Sequence, residues 1–125
     1  MTNERLLVID DEIDFCAFVG RVGRKLYIEV ETTTNSSQFK EIYGRFDPTM
    51  ITLDMMMPKP SGIDLIQWLA ERDCTARVFI LSGSDANFTA MAEVVGGIAG
   101  LASITRLSKP ISIADLERAF SAGRA

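Results

Sequence analysis

Residues 5–12 read Arg-Leu-Leu-Val-Ile-Asp-Asp-Glu, an apolar run that stops abruptly on a pair of acids. Consecutive apolar residues from Leu6 to Ile9 suit a strand covered on both faces, the situation of a parallel sheet. Directly after them, Glu12 to Leu26 carries Phe15, Val19, Val22 and Leu26 at helical spacing. A buried strand feeding an amphipathic helix, with Asp10 and Asp11 on the turn between, sets the pattern for the rest of the chain.

Working outward, the alternation repeats. Tyr27 to Thr32 fits a second strand, and Ser36 or Ser37 can cap a helix carrying Phe39, Ile42 and Tyr43 that Gly44 would end. Met50 to Leu53 reads as a third strand. Asp54 to Ser61 reads as a loop, because Pro58 and Pro60 cannot sit inside a helix or a central strand. Ser61 is a plausible N-cap for a helix with Ile63, Ile66, Leu69 and Ala70 on one stripe. Val78 to Leu81 makes a fourth strand. The helical pattern of Met91, Val94, Val95 and Ile98 is interrupted by Gly96 and Gly97, each costing up to about 1 kcal/mol against alanine. A fifth strand near Ser103 to Leu107 and a helix from Ser112 to about Ala122 close the pattern. Strands alternating with helices, without repeats or a low-complexity linker, predict one α/β domain over residues 1–125. Its sheet is doubly wound and parallel, in the order 2-1-3-4-5, with helices on both faces.

Bulk properties narrow the function. With 125 residues, 47% of them hydrophobic, the chain can bury a core without staples. A net charge of -4 argues against binding the phosphate backbone of nucleic acid. The apolar run ended by Asp10 is too short for a secretory signal, and no stretch approaches the ~20 apolar residues that span a bilayer. Cys16 and Cys74 have neither metal nor redox spacing and read as reduced core or boundary residues. A cytoplasmic chain without membrane association is expected. There is no histidine, which removes Ser-His-Asp and Cys-His activation and every His-containing zinc site. Carboxylates, hydroxyls and amines must carry the chemistry.

In a doubly wound sheet, functional residues gather beyond the carboxyl ends of the strands. Those positions hold Asp10 and Asp11 after strand one, Asp54 after strand three, Ser82 after strand four and Lys109 after strand five. Taken singly, each has an ordinary explanation: acids at a helix N-terminus, turn residues, a solvated lysine. Jointly they place three carboxylates, a hydroxyl and an ammonium at one edge. Clustered carboxylates repel and call for a cation. All-oxygen donors suit Mg²⁺, which takes one or two carboxylates together with phosphate oxygens. Screened by such an ion, Asp54 becomes a usable nucleophile for an aspartyl phosphate. Ser82 and Lys109 could then hold the other phosphoryl oxygens.

Four segments also carry a family resemblance: Leu7-Val8-Ile9-Asp10-Asp11-Glu12, Leu53-Asp54-Met55-Met56-Met57-Pro58 with Gly62 beyond it, Ile80-Leu81-Ser82-Gly83, and Ser108-Lys109-Pro110. In order and with suitable gaps, they resemble the receiver domains of two-component response regulators, over essentially the whole chain. The resemblance implies a flavodoxin-like sheet and a phosphorylation site at Asp54. It implies Mg²⁺ ligation by Asp11 directly, by Asp10 through water, by Asp54 and by the backbone carbonyl of Met56. Ser82 would turn towards the phosphoryl group and Lys109 would pair with it. The phosphoryl donor would be a phosphohistidine on a sensor histidine kinase or a histidine phosphotransfer protein. The output would be a binding switch towards a partner protein or domain, through the face of the fourth predicted helix, the fifth strand and the last helix. The domain would assist its own phosphorylation and dephosphorylation without being an enzyme in output.

One position departs from the family pattern. Arg106 stands where an aromatic ring usually turns inward on phosphorylation, and an arginine cannot bury there without a partner. Either it is a surface residue on an edge strand, or it belongs to the partner-binding face. Two other functions stay open: a degenerate receiver acting as an unphosphorylated scaffold, and a Mg²⁺-dependent aspartyl-phosphate phosphohydrolase. The second lacks the acid that such enzymes place two residues after the nucleophile, since Met56 occupies that position.

Overall fold

A computed structural model describes residues 3–55, 62–83 and 104–122. The elements run β1 (Arg5–Ile9), α1 (Ile13–Lys25), β2 (Glu29–Thr33), α2 (Ser36–Phe46), β3 (Met50–Asp54), α3 (Gly62–Glu71), β4 (Arg77–Ser82), β5 (Ile104–Ser108) and α4 (Ile113–Ser121). All strand pairs are parallel and the order is β2-β1-β3-β4-β5, as the alternation predicts. Among the described residues, no helix is long and apolar enough to cross a membrane.

The sheet is buried on both sides because successive residues of its central strands point to opposite faces. Leu7, Ile9, Ile51, Leu53, Val78 and Ile80 pack with Phe39 and Ile42 of α2 and Leu65, Ile66 and Leu69 of α3. The alternate residues Leu6, Val8, Met50 and Phe79 pack with Cys16, Val19 and Val22 of α1 and with Leu116 and Phe120 of α4. Both cysteines are free and buried. Strand β5 forms one edge of the sheet, and there Thr105 and Arg106 are exposed. The expected helix around Met91 to Ile98 and the expected cap Ser61 lie outside the described residues.

Among the boundaries that differ from the sequence expectation, three have a clear local reason. The second strand begins at Glu29, not Tyr27, because Tyr27 adopts a left-handed backbone (φ 63°) that ends α1. Its N–H donates to Arg24 O, and the Ile28 N–H reaches back to Gly23 O, the paired bonds that close a helix C-terminus. Glycine usually takes that left-handed place, but here the nearby glycine is committed to packing. A Cβ on Gly23 would lie 2.9 Å from Val30 Cγ2 and 3.1 Å from Leu6 Cδ2. The cap of α2 is Asn35, whose side chain accepts from the Gln38 N–H, and not Ser36 or Ser37. That helix continues past Gly44, which is exposed and uncrowded, and ends on Asp47 at φ 50°. The last helix starts as expected, with Ser112 Oγ accepting from the Asp115 N–H at 3.0 Å.

Candidate functional site

The sheet register brings the carboxyl ends of four adjacent strands to one edge. Asp10 follows β1 and its N–H donates to Thr33 O at 3.3 Å, which ties it to the end of β2. Asp54 is the last residue of β3 and lies opposite Leu81; the next amide, Met55 N–H, donates to Leu81 O at 3.0 Å. Ser82 ends β4 opposite Ser108, and the Lys109 N–H donates to Ser82 O at 2.7 Å. Asp10, Asp54 and Ser82 are all buried. Asp54 therefore belongs to the strand and not to the loop that the prolines suggested.

Helix α3 closes against this edge at Gly62. A Cβ there would stand 2.8 Å from Met55 Cα and 2.9 Å from the Asp54 carbonyl oxygen, both backbone atoms. No larger residue fits without moving the end of β3.

Lys109 organises the charges. Its Nζ lies 2.8 Å from Asp10 Oδ2 and 3.9 Å from Asp54 Oδ2. The other oxygen of Asp10 accepts from the Glu12 N–H at 2.9 Å, so this carboxylate, 1% exposed, has both oxygens engaged. A buried charge requires such pairing. Burial draws the Lys109 ammonium pKa downward, but the Asp10 hydrogen bond and charge, then Asp54 and Glu12, outweigh it. The net direction is above the ordinary lysine value. The ammonium also sits 4.2 Å from the centre of the Phe15 ring.

Asp10, Asp11 and Glu12 bring carboxylate oxygens within 4.8 Å of one another; Asp10 is buried, while Asp11 and Glu12 face solvent. A hard, oxygen-only donor set with one open side fits a hydrated divalent cation such as Mg²⁺. The Ser82 hydroxyl donates to the Gly83 carbonyl at 2.8 Å. Cys16 lies beneath the acids, its Sγ 3.4 Å from Asp10 O and 3.6 Å from Thr33 O. Burial first, and the Asp10 charge second, push its thiol up to about 11. A thiol so protonated is a poor nucleophile and a poor ligand.

Of the residues singled out from sequence, Asp10, Asp54 and Lys109 meet directly. Asp11 stands at the solvent side of the acidic group, and Ser82 is tied to Lys109 through its backbone. Met56 lies outside the described residues. Arg106 is exposed on β5 and borders an open groove of about 450 Å³ shared with Leu107, Pro110, Ile111, Arg118 and Ala119. Two residues at the site were not singled out. Glu12 was visible as the third acid of the run after β1. Phe15 was hidden within an ordinary apolar stripe.

The chain is similar to known proteins over nearly its whole length. The sequence model of the response regulator receiver domain matches residues 6–121. The photosynthetic apparatus regulatory protein RegA of Rhodobacter capsulatus is 28% identical over 121 residues, covering 97% of this chain and 63% of that protein. The chain thus spans under two thirds of the length of that relative. Sporulation initiation phosphotransferase F of Bacillus subtilis is 26% identical, covering 95% of this chain and 92% of its own. A receiver-domain structure from Bermanella marisrubri superposes with a TM-score of 0.80 at 26% identity, covering 95% of this chain and 96% of that one. The chemotaxis protein CheY4 of Vibrio cholerae, at 17% identity, shares the fold with a TM-score of 0.83 over 96% of this chain and 98% of that one. The order of the strands, the acids at their carboxyl ends and the match from residue 6 to 121 together place the chain in the response regulator receiver domain family, the signalling-switch module of two-component systems.

Proposed function

We propose that Asp54 accepts a phosphoryl group from the phosphohistidine of a partner kinase or phosphotransfer protein, and that the resulting charge switches binding to an output partner. The observation that carries this reading is the position of Lys109 Nζ, 2.8 Å from Asp10 and 3.9 Å from Asp54. An ammonium so placed can follow the charge that builds on Asp54. In the transfer, an Asp54 carboxylate oxygen forms the new P–O bond as the P–N bond to the donor imidazole breaks. The imidazole keeps the electron pair and takes a proton from solvent.

Asp11 and Asp54, with Asp10 through water and the Met56 carbonyl, would hold Mg²⁺. When bound, the ion neutralises the carboxylates and the phosphoryl oxygens. Lys109 would pair with one phosphoryl oxygen, and the Ser82 hydroxyl would leave Gly83 to donate to another. The exposed Arg106 and its groove on β5 and α4 would form part of the output surface. The buried cradle around Asp54 favours phosphorylation over a purely scaffolding role.

Borohydride trapping tests the acceptor. An acyl phosphate on Asp54 is reduced to homoserine, so peptide sequencing should find homoserine at position 54 after phosphorylation. Homoserine at another position, or an unreduced aspartate at 54 in labelled protein, would contradict the assignment.

A further inference from the structure

We propose that Phe15 is a positioning residue for Lys109: its ring face keeps the ammonium in the site when a cation takes over the carboxylate of Asp10. The inference rests on the acceptor site described above and adds a residue to it.

Phe15 lies in the first turn of α1, and Lys109 follows β5, so two distant segments meet here. The Nζ is 4.2 Å from the ring centre, inside the ~6 Å range over which an aromatic face attracts a cation. The ring is held in turn by Phe18, whose centroid is 5.9 Å away at a tilt of 49°. Lys109 is largely buried, with 20% of its side chain exposed.

The partners of the ammonium differ in what a metal does to them. Asp10 belongs to the acidic group that fits a divalent cation, so loading the site weakens its hold on Lys109. The ring carries no charge and offers a hard cation no oxygen. Its attraction for the ammonium persists when Asp10 is engaged elsewhere. A flexible lysine released from its strongest partner would otherwise sample solvent and have to be reordered before meeting a phosphoryl oxygen. An aliphatic residue at position 15 would fill the same space without this attraction.

Two measurements on the full chain test the proposal. In protein carrying ε-¹³C-lysine, assigned with Lys109→Arg, the Lys109 ε-methylene protons should resonate upfield of ordinary lysines through the ring current. That shift should persist in saturating MgCl₂ and vanish in Phe15→Leu. Its collapse on adding magnesium would overturn the proposal, whatever the phosphorylation behaviour. Second, replacing Phe15 with 4-fluoro-, 3,5-difluoro- and 3,4,5-trifluorophenylalanine drains the ring face at nearly constant shape. Labelling of Asp54 by acetyl phosphate should slow stepwise, by about two- to fivefold across the series, and the trend should disappear in Lys109→Met. A flat series in protein that labels normally would overturn the proposal. Wild-type protein that takes no label would instead count against Asp54 as acceptor, and the magnesium-dependent ring-current result would still decide the role of Phe15.

Discussion

Lys109 is bonded to Asp10, at 2.8 Å, more closely than to Asp54, at 3.9 Å. The ammonium therefore neutralises the buried acid beside Asp54 and stands within one short movement of Asp54 itself.

Removing the ammonium should expose what it offsets. In Lys109→Met, Asp10 keeps only the Glu12 N–H among the contacts described above, and the loss should be about 1–3 kcal/mol in urea denaturation with chelator present. Magnesium supplies a replacement positive charge, so the deficit should shrink when the ion is added. Equal deficits with and without magnesium would contradict the arrangement. The pH dependence follows from the raised lysine pKa. Its contribution is fully present below the ordinary value of 10.5 and is lost as pH rises through the higher folded value. The gap between wild type and Lys109→Met attributable to this lysine should therefore hold steady from pH 7 to about 10 and close only above that.

Gly62 and Gly44 predict opposite outcomes for the same substitution. Gly62→Ala drives a methyl into the Asp54–Met55 backbone, so it should cost about 1–3 kcal/mol and slow labelling of Asp54. Gly44→Ala enters open space on an exposed helix and should raise stability by up to about 1 kcal/mol with labelling unchanged. Denaturation midpoints and labelling rates of the two variants check this directly. Similar behaviour of both would show that the approach of α3 to Asp54 is not restrictive.

Cys16 should be chemically silent in the folded protein. With its thiol held near 11 and its side chain buried, iodoacetamide at pH 8 should leave Cys16 unmodified, whereas urea-unfolded protein should react there. The unfolded thiol loses its proton near 9.0 while the folded one keeps it to about 11. The unfolded state then binds fewer protons, and this group subtracts stability as pH rises between those values. Replacing it with serine should flatten that part of the pH profile.

Arg106→Ala tests whether the edge position matters to the fold or only to binding. An exposed side chain on an edge strand should change stability by no more than about 0.5 kcal/mol, and labelling of Asp54 should be unaffected. A large loss in either would place Arg106 in the switch itself rather than on its outer face.

The strand order and the edge that carries the site were readable because the central strands are continuous apolar runs ended by polar residues. Leu6 to Ile9 stopping at Asp10 and Met50 to Leu53 stopping at Asp54 are the clearest cases. The start of β2 was not readable. Tyr27 is a good strand former, and nothing local announces that α1 needs a left-handed residue there. Within the site, the acids, Ser82 and Lys109 stood out because they fall together at the carboxyl ends of four of the expected strands. Phe15 did not, because an aromatic at helical spacing serves a core as readily as an ammonium. Only the crossing of Lys109 from β5 to the start of α1 distinguishes the two roles.

Phosphorylation of Asp54 should require a divalent cation. Intact-protein mass spectrometry after incubation with acetyl phosphate, with and without Mg²⁺, on wild type and Asp54→Asn tests it most directly. One added phosphoryl mass is expected in wild type, dependent on magnesium and absent from the variant. An adduct that survives in Asp54→Asn or forms equally without magnesium would contradict it.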